Sequence, residues 1–311
     1  MFHHLKSCTD DLLEYFDKNL LQNGKIVIDA KNIFGRFTAE VLSVAALGFK
    51  GNCIKDENSK VFEVVEHIDE DVSGTLGTFR QLMANSFPMI AKLIKFRVCR
   101  QSTHDFFQRC VTDEISRRES TGVSKINGLI QMLIQARIKE NDLGVELENS
   151  KKTFTDLSDD ELIAAQAFVF YVAGFDTTSG ALQLLSWELA MNQDVQRKLI
   201  KEIDEVNATL NGETVTYEVL NQMKYLEMVV NETLRKWPPL RMGFRECTKG
   251  LVLNISNGQT VSFEKGDSVM IPFRSIHHDP KYFPNPDKFD PERFNDENKS
   301  EILPGTFLAF G

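Results

Sequence analysis

Apolar positions recur at intervals of three and four residues from the start of the chain to about Pro238. This spacing predicts helices, because residues i, i+3, i+4 and i+7 share one face of a helix. The clearest stripes lie in Asn32–Leu47, Thr103–Arg118 and Asp194–Leu210. Glycines interrupt the pattern between such stripes, as expected of connecting loops. The chain up to residue 238 is therefore predicted to be helical.

Beyond Pro239 the pattern changes to short segments of alternating polarity. The stretch GLVLNISNGQTVSFEKGDSVMIPF predicts brief strands joined by turns at Asn257-Gly258 and Lys265-Gly266-Asp267. An irregular, proline-rich stretch, HHDPKYFPNPDKFDPERF, follows. The predicted fold is mostly α with a small β region. We expect one incomplete domain with three parts, which are the helical residues 1–238, the strands in 239–275 and a meander in 276–311.

One apolar run is followed directly by polar residues. Leu162 to Gly174 is nearly all apolar, yet the next residues are Phe-Asp-Thr-Thr-Ser. The helix could end at Gly174, with a second helix capped by Asp176 or Thr178. Apolar positions continue to Leu189, however, and favour one helix from about residue 158 to 192, roughly 50 Å long. The apolar run is too short to span a bilayer, which takes about 20 residues.

In one continuous helix, Ala173 and Thr177 lie four residues apart on the same face, beside Gly174 and Thr178. Small side chains there leave room for a bulky group, and the Thr177 hydroxyl points at it. Asp176 lies one step round the helix. The pattern is typical of a contact with a planar cofactor beside a route for protons.

Composition narrows the possible partners. The 311 residues carry a net charge of −9, which makes nucleic acid an unfavourable partner. The 23 phenylalanines suit a large apolar interior or an apolar ligand pocket. Five scattered cysteines without a CxxC pair indicate reduced thiols on the cytosolic side. No signal peptide or anchor is recognised at the start of the chain.

The segment Phe87–Arg100 combines apolar residues with four cations. A basic amphipathic segment can lie on an anionic membrane surface. An ordinary surface helix with its loop explains the same pattern equally well.

A carboxylate and a guanidinium recur at i, i+3 in two places. Glu114 and Arg117 read as an exposed pair on a solvated helix. Glu232 and Arg235 lie instead among apolar residues, in YLEMVVNETLRKWPP, where two prolines end the helix. Arg293, in the later PERF sequence, could complete a cluster in which Glu232 is held between two arginines, as a buried carboxylate requires.

In order and spacing, AGFDTTS, the ExxR helix ended by Trp-Pro-Pro, and PERF resemble the landmarks of the cytochrome P-450 family of haem-thiolate monooxygenases. The stretches DDELIAAQAFVFYVAGFDTTS and IPFRSIHHDPKYFPNPDKFDPERF are similar to the microsomal, insect-type branch. The resemblance extends along the chain, and the three motifs together are specific. An unrelated helical binding protein would have to carry all of them by accident.

The resemblance implies haem b as cofactor, with electrons from NADPH through a flavoprotein reductase. Thr177 would match the threonine that hydrogen-bonds the bound dioxygen, and Asp176 the acid of the proton relay. The helix residues Ala173 and Gly174 would lie against the haem. Substrates would be lipophilic xenobiotics, lipids or hormones, and the complete protein would lie at the endoplasmic reticulum membrane, on its cytosolic face.

Further residues receive roles from the same resemblance. Glu232, Arg235 and Arg293 would be structural and hold the fold beneath the haem. Arg241 or Arg245 would pair with a haem propionate. His277 and His278, adjacent in what we expect to be extended backbone, are interpreted as diverging loop residues and not as ligands.

The sequence ends at Phe307-Leu-Ala-Phe310-Gly311, which matches the first residues of the family's haem-binding loop, with Ala309 where proline is usual. The axial cysteine is expected beyond Gly311, so we assign no metal ligand among these residues and expect the chain as given to be inactive. The alternative is a haem-free remnant or an apolar-ligand-binding protein without catalysis.

Overall fold

The computed structural model describes residues 2–20, 24–73, 100–121, 129–130, 132–133, 159–255 and 258–310. The helices within these ranges are α1 (Phe2–Lys18), α2 (Ala30–Leu42, continued by a π-helical turn at Ser43–Leu47), α3 (Lys60–Ser73), α4 (Gln101–Thr121), α5 (Asp159–Met191), α6 (Gln193–Thr209), α7 (Tyr217–Leu220), α8 (Lys224–Lys236) and α9 (Phe273–His277). The strands are β1 (Gly243–Glu246), β2 (Leu251–Asn254), β3 (Thr260–Phe263) and β4 (Ser268–Ile271), and 3-10 turns follow at Pro291–Phe294 and Lys299–Glu301.

The chain divides into two compact units, residues 1–179 and 180–311, and α5 contributes residues to each. In the first unit α2, α3, α4 and the beginning of α5 surround one apolar core. Its centre is aromatic: the Phe107 ring meets Phe168 and Tyr171 edge-on, with ring centroids 5.3 Å apart in both pairs. Edge-to-face contacts of this kind stabilise a core beyond the area they bury.

The second unit combines helices with two small sheets. β1 pairs antiparallel with β4, and β2 with β3, in two separate two-stranded sheets. Gly266, at the predicted Lys-Gly-Asp turn, has a φ of +97°, which favours glycine. A small core of Val195, Leu199, Val229 and Phe289 joins α6 and α8 to the meander.

Side chains fix where several helices begin. Asp29 accepts hydrogen bonds from the backbone of Lys31 and Asn32 and so caps α2. The start of α8 is capped from another helix: Glu202 of α6 accepts the N–H groups of Tyr225, at 2.7 Å, and Leu226, at 2.9 Å. The first N–H groups of a helix lack partners within it, so this carboxylate both caps α8 and joins it to α6.

The structure confirms the mostly α fold with a small β region, and it confirms one long helix through the polar motif. α5 runs without a break across Gly174, so the alternative of two helices capped at Asp176 or Thr178 is wrong. The single-domain assignment stays a prediction. The segment Phe87–Arg100, apart from its last residue, lies outside the described residues. Of the helices described, none combines the length and apolarity needed to cross a membrane.

Candidate functional site

The polar motif of α5 presents small and polar side chains. Ala173 and Asp176 are exposed and Thr177 is half-buried. The Thr177 hydroxyl donates to the Ala173 carbonyl oxygen at 2.6 Å, one turn back along the helix. Threonine satisfies its hydroxyl in this way inside helices, and the bond fixes where the oxygen lies. The oxygen lone pairs remain able to accept a further hydrogen bond.

Gly174 has a packing reason to be glycine. A Cβ atom built on it would lie 2.9 Å from Cδ2 of Leu42, which projects from the end of α2. Gly180, two turns further along α5, has no atom within 4 Å of the same position. The Leu42 side chain thus occupies the space beside residue 174 and favours a glycine there, in addition to the predicted cofactor contact. Sequence reasoning had offered the residue a place at a helix end or a cofactor contact, and not this packing role.

Glu232 and Arg235 of α8 form a fully buried pair. The Arg235 guanidinium donates through Nε to Glu232 Oε2, at 2.7 Å, and through Nη2 to Oε1, at 2.9 Å. Both side chains are 0% exposed. Two parallel N–H···O bonds are the strongest geometry for this pair of groups. Charges that are buried so completely need every remaining donor and acceptor satisfied.

The meander supplies the remaining partners. Arg235 also donates to the carbonyl oxygens of His277, at 2.8 Å, and Pro286, at 2.7 Å. Glu232 Oε1 accepts the backbone N–H of Asp290 at 3.0 Å. The pair therefore fastens an irregular, proline-rich segment to α8.

Arg293 completes the cluster, as its position in PERF suggested. Its Nε lies 3.5 Å from Glu232 Oε1, and its Nη2 donates to the Asn285 carbonyl at 2.9 Å. The side chain is 13% exposed. We call Glu232, Arg235 and Arg293 the Glu232 cluster. The structure brings all three together, and their part in supporting a cofactor stays a prediction.

The pair with the same spacing on α4 is less exposed than predicted. Arg117 donates to both oxygens of Glu114, at 2.8 and 2.7 Å, and the Glu114 side chain is only 7% exposed. The prediction of a solvated pair is therefore wrong for the carboxylate, although Arg117 is 40% exposed. α4 packs on the first core, so a residue at this position lies inside the unit whatever its charge.

The interpretation of the two histidines as diverging loop residues is wrong. His277 is the last residue of α9 and is 0% exposed, and His278 follows with φ −104° and ψ 6°, which is not extended. Both rings bond to the end of α8: His277 Nδ1 lies 3.0 Å from the Arg235 carbonyl oxygen, and His278 Nε2 lies 2.9 Å from that of Lys236. The short helix turns both side chains toward α8.

Sequence reasoning missed a further buried carboxylate. Glu188, in the last turn of α5, is 2% exposed. It accepts the Trp237 indole N–H at 2.7 Å, pairs with Lys236 Nζ at 2.9 Å, and accepts from the Asn192 amide at 3.1 Å. These contacts fasten the end of α5 to the end of α8 within the second unit. The tryptophan of Trp-Pro-Pro, beside the ExxR sequence, was the available signal.

The other predicted cofactor contacts lie in the second unit. Arg241 and Arg245 are both exposed, and Arg245 Nη1 donates only to the neighbouring Phe244 carbonyl, at 3.0 Å. Phe310 is 81% exposed, and its ring meets that of Phe307 edge-on with centroids 6.5 Å apart. The geometry does not choose between the two arginines.

Three of the four described cysteines, Cys8, Cys53 and Cys110, resemble inert structural thiols. Burial raises the pKa of Cys8 and Cys110 to about 11 and that of Cys53 to about 12, so all three stay protonated at neutral pH. Cys99 lies outside the described residues. Among those that are described, no three His, Cys, Asp or Glu side chains converge as metal ligands.

Comparison of the sequence with known proteins identifies the family of this chain. The sequence profile of the cytochrome P450 family matches residues 1–311. The chain is 35% identical over 308 residues to probable cytochrome P450 9f2 of Drosophila melanogaster, covering 97% of this chain and 56% of that protein. It is 35% identical over 330 residues to cytochrome P450 9e2 of Blattella germanica, covering 100% of this chain and 60% of that protein. The chain thus spans somewhat more than half the length of these insect relatives, and it belongs to the cytochrome P450 family.

Proposed function

We propose that this protein acts as a haem-dependent monooxygenase that inserts one oxygen atom of O2 into lipophilic substrates. The observation that carries the proposal is the Glu232 cluster, in a chain whose whole length matches the cytochrome P450 family. A carboxylate buried between two arginines stabilises little by itself. Its value lies in fixing the meander that leads to the expected haem-binding loop.

Each of the two units, taken by itself, carries groups that suit a haem. The group is planar and apolar with two carboxylates, so it needs small side chains on one helix, an aromatic contact and cations. Ala173 and Thr177 supply the first, and the exposed ring of Phe310 the second. Arg241 and Arg245 are exposed and form no ion pair within the described part of the chain, so either guanidinium can bind a propionate.

A bound haem supplies the iron chemistry that activates O2. The chain contributes hydrogen bonding and proton handling: Thr177 Oγ1, whose hydrogen is bonded to the Ala173 carbonyl, would accept a hydrogen bond at the site, and the exposed Asp176 carboxylate would relay protons from solvent. The Glu232 cluster has a structural role, away from substrate. Gly174 lets α2 approach α5 and so fixes the helix that carries the motif.

The proposal extends to partners and location. Electrons come from NADPH through a flavoprotein reductase, and the complete protein works on the cytosolic face of the endoplasmic reticulum. The substrates are lipophilic xenobiotics or endogenous lipids and hormones, in keeping with the phenylalanine-rich composition. The net charge of −9 argues against nucleic acid.

The test uses protein expressed at the length of its relatives. We expect a thiolate-type Soret band in the reduced, carbon-monoxide-bound form. Thr177→Ala should keep this band. The share of reducing equivalents recovered in product should fall by roughly 10-fold or more, with most of them released as peroxide. Ser186→Ala is the matched control, because its hydroxyl makes the same bond one turn back on α5, to Leu182 at 2.8 Å. It should couple normally.

Two results would contradict the proposal. Absence of the band in wild-type protein would favour the haem-free binding protein. Normal coupling in Thr177→Ala would remove the role assigned to that hydroxyl.

A further inference from the structure

His277 links two segments that are far apart in sequence. Its Nδ1 lies 3.0 Å from the carbonyl oxygen of Arg235, in the last turn of α8. Its Nε2 accepts the backbone N–H of Leu308 at 2.8 Å. One imidazole ring thus joins the ExxR helix to the Phe307–Phe310 segment.

These two contacts determine the form of the ring. A carbonyl oxygen only accepts, so Nδ1 must carry the proton, and a backbone N–H only donates, so Nε2 must be free of one. His277 is therefore neutral and fixed in one tautomer. Burial lowers its pKa to about 4, in agreement with the geometry.

Aromatic contacts hold the ring in place. It stacks on Phe307, with centroids 5.7 Å apart and planes 25° apart, and meets Phe283 edge-on at 5.9 Å. The Phe307 ring in turn lies 4.9 Å from that of Phe294. Because two aromatic side chains contact the ring and both of its nitrogens are bonded, the Leu308 amide has a fixed acceptor.

We propose that His277 is a positioning residue that orients the start of the haem-binding loop by holding the Leu308 amide at a fixed distance from α8. Describing this segment as a haem-binding loop rests on the proposed function; the bond itself does not. The residue contacts no substrate or cofactor in this role. It acts on the loop through Leu308, as Arg235 acts on the His277 carbonyl.

Two variants separate the two nitrogens. In His277→Gln, the side-chain carbonyl can occupy the place of Nε2 and accept from Leu308. In His277→Asn, the shorter amide reaches only the place of Nδ1 and donates to the Arg235 carbonyl. Both variants keep a neutral polar side chain. If the position required only a buried polar residue, the Leu308 amide would behave in the same way in both.

The measurement is residue-resolved hydrogen exchange at the Leu308 amide in the 311-residue chain, with circular dichroism to show that each variant folds. We expect Leu308 to exchange at least about 10-fold faster in His277→Asn and within about threefold of wild type in His277→Gln. Equal exchange in the two variants, whether fast or slow, would overturn the assignment.

A spectroscopic arm tests the link to the cofactor, in protein expressed at the length of its relatives and loaded with haem. The thiolate-type share of the reduced, carbon-monoxide-bound Soret absorption should fall in His277→Asn and be retained in His277→Gln. If the exchange pattern holds but wild type shows no thiolate-type band, the positioning role stands and the proposed function fails. If the band forms equally in both variants, the loop is positioned by other contacts, and the inference fails while the function stands.

Discussion

Glu232→Gln tests whether burial of the Glu232–Arg235 pair, and not its i, i+3 spacing, determines how much the pair contributes to stability. The substitution keeps the shape of the side chain but removes its charge. Arg235 donates to both carboxylate oxygens of Glu232, at 2.7 and 2.9 Å. In the glutamine variant an amide N–H₂ group replaces one of these oxygens and faces an N–H group of Arg235. The Arg235 charge is left without its counter-ion at 0% exposure. Removing one partner of a buried pair costs about 3–5 kcal/mol, a large share of a typical stability of about 5–15 kcal/mol.

The chain contains its own control. Glu114→Gln makes the same change at the same spacing, and Arg117 also donates to both carboxylate oxygens. Here the arginine is 40% exposed, so water can take over its solvation. We expect a loss of only about 1–2 kcal/mol.

The assay is urea unfolding of the two variants and wild type, followed by far-ultraviolet circular dichroism. Glu232→Gln should lose about 1–4 kcal/mol more than Glu114→Gln, or lose the cooperative transition of the second unit altogether. Equal losses of unfolding free energy in the two variants would refute the reasoning, because burial of the arginine would then have no effect on the cost of removing its counter-ion.

Three further predictions rest on single contacts. In thermal unfolding, Gly180→Ala should raise the free energy of unfolding by about 0.5–1 kcal/mol, because alanine favours the helix and the new methyl group meets no other atom. Gly174→Ala on the same helix should gain less than Gly180→Ala, because the new methyl group lies 2.9 Å from Cδ2 of Leu42 and that side chain has to move. Glu202→Ala should cost about 1–2 kcal/mol by leaving two N–H groups at the start of α8 without an acceptor, against less than about 0.5 kcal/mol for Glu205→Ala, whose carboxylate is 67% exposed. The pKa of His277 is about 4 in the folded protein against 6.5 for an unperturbed histidine, so between pH 6.5 and 4 only the unfolded state binds this proton. The free energy of unfolding should therefore fall by roughly 3 kcal/mol as the pH drops from 6.5 to 4. His277→Gln should remove this contribution to the pH dependence of stability.

Periodicity was enough to predict the elements that carry the site. Apolar positions continue past Asp176 to Leu189 with no run of loop residues between them, so the sequence offers no stop signal at the polar motif. The ExxR spacing likewise predicts that Glu232 and Arg235 meet, because residues three apart on a helix are neighbours. These inferences need only local geometry.

Burial depends on packing that local geometry does not contain. Glu114 and Glu232 have the same arginine three residues on, and nothing in the spacing distinguishes how much solvent each arginine meets. Glu188 has the appearance of an ordinary helix carboxylate, and its partners come from the end of α8. His277 was misplaced for the same reason, since its partners lie 42 residues before it and 31 after it.

The meander explains why charged groups are buried at the end of α8. Residues 277–290 have little regular structure, so their backbone groups lack the partners that a helix or a sheet would supply. Arg235 donates to the carbonyls of His277 and Pro286, and Glu232 accepts the N–H of Asp290. In return, the His277 ring bonds to the carbonyl of Arg235, one of those that a helix end leaves open. An apolar pair could fill the same volume, but it would leave these backbone groups buried without partners, at about 1–3 kcal/mol each. The charges are retained because an irregular segment has to be held in one conformation, and the Phe307–Phe310 segment is held through it.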